Sequence, residues 1–81
     1  MNGKVNMHDV VALLEDKRAK HFETGQPLLL RRGQIGTVVM TYDDEACEVE
    51  FADREGHASA MLSLRPSQFT PLRDTPEFAA V

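Results

Sequence analysis

With 81 residues and a formal net charge of −4, the chain has room for one small domain, in which a rigid catalytic cleft competes with the core for the same few positions; this argues against an enzyme. A single cysteine, Cys47, excludes an internal disulfide and a thiolate-rich zinc site and points to a reducing, cytoplasmic setting. The opening "MNGKVNMHD" holds no apolar run of the signal-peptide kind, and no segment approaches the roughly 20 apolar residues of a membrane span, so a soluble protein is expected.

Residues 1–7 read as an arm, 8–72 as the folded domain and 73–81 as a loose tail. Val10 to Leu14, "VVALL", is an apolar run of strand length between acidic residues, and it predicts a first strand with both faces apolar. "KRAKHFETGQP" is polar and aperiodic and ends in Gly25 and Pro27, so it predicts a loop with room for one helical turn.

In "RRGQIGTVV" the pair Gly33 and Gly36 has the spacing of a phosphate-clamping GxxG loop, but that loop joins two helices and here a strand follows at once. The glycines are therefore read as a structural turn, giving positive φ and a sharp bend that lets Ile35 and Val38 enter the core. "QIGTVVMTY" is rich in strand formers, and "ACEVEF" alternates strictly, with Cys47, Val49 and Phe51 on one face and Glu48 and Glu50 on the other. "DDEA" and "DREG" have hairpin-turn chemistry, "HASAMLSL" supplies another strand, and "RPSQFTPL" predicts a proline-started turn and a short strand from Phe69 to Leu72.

Strands at intervals of about ten residues predict an all-β, strongly bent antiparallel barrel. Its expected interior is Val11, Leu13, Ile35, Val38, Val49, Phe51, Leu62, Leu64, Phe69 and Leu72, with a bulge able to swap the face of any one strand. Met40 and Met61 are surplus to so small an interior. Either "PLLL" folds over them or a partner or second copy does, and the expectation favours a partner.

Charge is unevenly spread. From Lys17 to Arg32 five basic residues (Lys17, Arg18, Lys20, Arg31, Arg32) face one acid, Glu23, whereas from Asp43 to Glu55 seven acids (Asp43, Asp44, Glu45, Glu48, Glu50, Asp53, Glu55) face Arg54 alone. The acidic hairpin is a candidate contact for a basic protein, since such a field steers association. The basic group is an alternative RNA-binding patch, disfavoured because aromatic stacking platforms are scarce around it. His8, His21 and His57 lie far apart without companion ligands, so no metal is expected, nor any cofactor or small-molecule substrate. Cys47 has no activating base and Glu48 beside it, which predicts an inert, half-buried strand thiol.

Taken together, "DVVALLED", "RRGQIGTVVMTYDDEACEVEFADREGHASAMLSL" and "PSQFTPL" resemble a family of short bacterial proteins described only as a domain of unknown function. The resemblance implies an SH3-like, five-stranded barrel with a short 3-10 turn before the last strand. Its "GxxGTVV" element is similar to those of the nitrile hydratase β-subunit barrel and of KOW modules, and some members look like antitoxin or immunity partners of a neighbouring gene's product. No catalytic residue is carried over, and Lys17 to Leu30 is longer and more basic than the family pattern. The expected function is a non-enzymatic protein-interaction module acting on a neighbouring gene product or on itself. The alternatives are a KOW-like RNA-binding module and an accessory chain of a nitrile-hydratase-like enzyme.

Overall fold

The computed structural model describes residues 5–43 and 45–79. Among these residues seven strands follow one another as β1 (Val10–Leu13), β2 (Lys17–Lys20), β3 (Pro27–Leu30), β4 (Ile35–Tyr42), β5 (Ala46–Ala52), β6 (Ala58–Leu64) and β7 (Phe69–Pro71), with one 3-10 turn, Pro66–Gln68, before β7. Five form an antiparallel sheet in the order β6-β5-β4-β1-β7, and β2 and β3 form a separate antiparallel ribbon. The all-β expectation holds. The expected strongly bent five-stranded barrel does not close among the described residues: they form a five-stranded sheet with β6 and β7 at its edges and a separate two-stranded ribbon.

The strict alternation of β5 translates directly into burial. Cys47, Val49 and Phe51 are at most 1% exposed, whereas Glu48 and Glu50 stand on the opposite face. Val11 and Leu13 of β1, Val38 of β4, Ala60 and Leu64 of β6 and Phe69 of β7 complete the core side of the sheet, and Leu30 of β3 caps it.

Three expected core residues are corrected. Val11 lies opposite Gly36, so Gly36 and Val38 are the inward positions of β4. Ile35 and Val38 are three residues apart on a strand of period two and cannot share a face; Ile35 is 55% exposed. The bulge in β4 lies between Val38 and Met40, too late to turn Ile35 inward. Leu72 lies just beyond β7 and is exposed, although its N–H still bonds the Val10 carbonyl at 2.9 Å. Leu62 faces the core but is only half-buried, because β6 is an edge strand.

The glycine pair is also corrected in part. Gly33 has φ +91° at the third position of a turn closed by the Gln34 N–H on the Arg31 carbonyl at 2.8 Å, which is the conformational role expected. Gly36 does something else. Its φ lies outside the left-handed range, but a Cβ there would come within 2.6 Å of Val49 Cγ1 and 2.8 Å of Phe51 Cε1. It is a glycine because Val49 and the Phe51 ring leave no room for a side chain there.

The segment expected to be a loop is the ribbon. Lys17 pairs with Leu30 and Ala19 with Leu28, and these four turn towards the molecule while Arg18, Lys20 and Leu29 face out. A half-buried lysine stem takes an inward place that a hydrophobic pattern assigns to an apolar residue. The turn of the ribbon is tied to β6 by the Phe22 N–H on the Ser59 carbonyl at 3.0 Å.

Candidate protein interface

Strand register assembles one continuous surface on the side of the sheet away from the core. Across it, Met61, Glu50, Thr37 and Val10 form one row, and Ser63, Glu48 and Met40 form the next. Tyr42 and Ile35 extend the face at the two ends of β4, and the Tyr42 hydroxyl lies 3.5 Å from Glu48 Oε2. Met40 is 48% exposed, Met61 51% and Tyr42 46%, with Val10 similarly open. The strands β4, β5 and β6 contain no lysine or arginine, so the two carboxylates have no basic neighbour within their own strands.

The acidic hairpin expected from the sequence therefore divides. Glu48 and Glu50 sit at the centre of an apolar sheet face. Asp43 and Glu45 lie at the turn beyond one end of β5, and Asp53 and Glu55 at the turn beyond the other. Asp44 lies outside the described residues. The surplus methionines are not covered by "PLLL": Leu30 enters the core, but Met40 and Met61 stay open.

The basic group is partly spent within the chain. Asp16 accepts the Arg32 backbone N–H at 2.7 Å, and its other oxygen lies 3.5 Å from Arg31 Nε. Lys17 Nζ lies 3.7 Å from Glu15 Oε2. Arg18 and Lys20 project from the outer side of the ribbon. Arg31 and Arg32 thus mark a turn held by an internal carboxylate.

One cluster runs against the expectation of no metal site, which rests on an acid spacing that matches no ion-wrapping loop and on histidines that lie far apart in sequence. Asp53, Glu55 and His57 offer ligand atoms within 4.8 Å of one another. Alternation across the five residues from Asp53 to His57 is the available signal. The geometry is that of a turn: Asp53 Oδ1 accepts the Glu55 N–H at 2.9 Å and the His57 N–H at 3.0 Å, and Gly56 takes φ +86°. The backbone N–H of His57 is the main reason the Asp53 carboxyl is held below its ordinary range; desolvation opposes it, and the Glu55 N–H and the imidazole add to the lowering.

Cys47 is more deeply enclosed than expected. Burial, and after it the Glu48 carboxylate, push its thiol pKa up, the opposite of what a nucleophile requires. Among the described residues, no helix is long and apolar enough to cross a membrane.

No curated protein and no solved structure matches the chain. Residues 7–71 match the family model DUF4926, a domain of unknown function, and span the sheet, the ribbon and the 3-10 turn. The chain belongs to that family.

Proposed function

We propose that the protein is a non-enzymatic interaction module that binds a basic protein through the outer face of its five-stranded sheet. The observation that carries this reading is the placement of Glu48 and Glu50 among Met40, Tyr42, Met61 and Val10. Apolar and aromatic side chains around a few aligned charges are the make-up of a binding patch: the apolar groups supply desolvation and the carboxylates supply partner choice and encounter rate. The acids at both hairpin turns extend the field along β5.

The fold is read as SH3-like, on the strand order β6-β5-β4-β1-β7 and the 3-10 turn before the last strand. The partner is read as the product of a neighbouring gene, as expected for an antitoxin or immunity protein, and the mechanism as steric and electrostatic occlusion of a basic surface. Co-expression with each adjacent gene product tests this. Stable co-purification of a basic product supports the reading, and failure of every product to co-purify removes it.

A further inference from the structure

The two edges of the five-stranded sheet are finished differently. β7 is three residues long, and the bonds at Leu72 N–H to Val10 and Leu14 N–H to Gln68 turn its alternate residues towards β1, which leaves Pro71 on the open side, where it has no N–H to offer. β6 is seven residues long, "ASAMLSL", without charge, proline or glycine. A long uncharged edge of this kind is a template for another strand.

The open groups can be identified from the ladder. Val38 exchanges bonds with Asp9 and His8 on the β1 side, so Thr37 is turned towards β5, where it pairs with Glu50. Val49 and Phe51 are then turned towards β6, where they meet Leu62 and Ala60. The N–H and C=O of Met61 and Ser63 consequently point out from the edge, and among the described residues they have no backbone partner. The ribbon touches this edge through its bond to Ser59.

We propose that a second copy of this chain pairs there, β6 antiparallel to β6 about a two-fold axis at Leu62. In that register Met61 lies opposite Ser63 of the second copy and Ser63 opposite its Met61, so every open N–H and C=O of both residues is satisfied. An axis at Met61 instead would leave Ser63 against Ser59, whose carbonyl already accepts from Phe22. The Leu62 side chain, half-buried for want of a neighbouring strand, meets its own counterpart. Charge supports the same occupant. β6 starts after the turn carrying Asp53, Arg54 and Glu55, with a net charge of −1, and runs into Arg65, so antiparallel pairing directs the basic end of each copy towards the turn of opposite net charge in the other. The paired run ends where Phe22 occupies Ser59 and where each chain leaves the strand at Pro66. The two outer faces then form one larger surface.

Sedimentation equilibrium over a wide concentration range tests this directly. A two-residue ladder on each copy is expected to give a reversible dimer whose population rises with concentration. Met61→Pro removes only an N–H that points away from β5, and should weaken the dimer at least about tenfold, while Met61→Leu keeps it. Amide exchange on the unmodified chain does not depend on how the variant folds: Met61 and Ser63 should be open when dilute and protected when concentrated. A monomer at millimolar concentration, or a dimer with Met61 and Ser63 still unprotected, overturns the proposal. So does protection of these amides that arises only with a different bound protein.

Discussion

The ring of Phe51 occupies the space that a side chain at Gly36 would fill, with Cε1 at 2.8 Å from the position of the missing Cβ. Phe51 is 1% exposed and shares the core with Val11, Val38 and Val49, so neither partner has room to withdraw. Gly36→Ala should therefore destabilise the fold by about 1–3 kcal/mol through overpacking. Denaturant unfolding checks this, and the cost of Gly36→Ala should be smaller in a Phe51→Leu background than in the unmodified chain, the non-additivity expected of residues in contact.

The ribbon is attached to the core chiefly through one side chain. Leu30 is 6% exposed, whereas its neighbour Leu29 is 53% exposed. Leu30→Ala is expected to cost about 2–4 kcal/mol and Leu29→Ala less than about 0.5 kcal/mol, measured by the same unfolding experiment. Equal costs would mean that the ribbon does not pack as described.

Asp53 holds the β5–β6 turn through its bonds from the Glu55 and His57 N–H groups. Because its pKa is lowered by folding, its contribution is present at neutral pH and is lost as the pH falls from the ordinary carboxylate range through the folded value. Asp53→Ala should lower Tm at pH 7, and the gap to the unmodified chain should close in acid. A gap that is constant with pH would show that the carboxylate charge has no part in it.

Cys47 should react slowly with thiol reagents in the folded state and quickly after denaturation, because burial both raises its pKa and blocks approach. Rapid labelling of the native protein would show that β5 opens readily.

The sequence made β5 legible because one face of it is buried and the other charged, so that every second residue in "ACEVEF" reports its side. Glu48 and Glu50 were placed on the outer face for the same reason. Gly36 departs from its expected role because its constraint comes from Val49 and Phe51, far along the chain, and a glycine alone does not say whether it serves φ or close approach. Ile35 was misplaced along with it. The ribbon was hidden because β2 contributes to its inner side with Ala19 and the stem of Lys17, leaving no apolar alternation to read. The apolar surround of Glu48 and Glu50 depends on register among three strands and on the bulge after Val38, which no single segment encodes.

The central claim is that the outer face recognises a basic protein through Glu48 and Glu50, and charge reversal tests it most directly. With the co-purifying partner in hand, titration calorimetry should show Glu48→Lys and Glu50→Lys together weakening binding by at least about 100-fold, with Tm little changed. Wild-type affinity in that double variant would contradict the account.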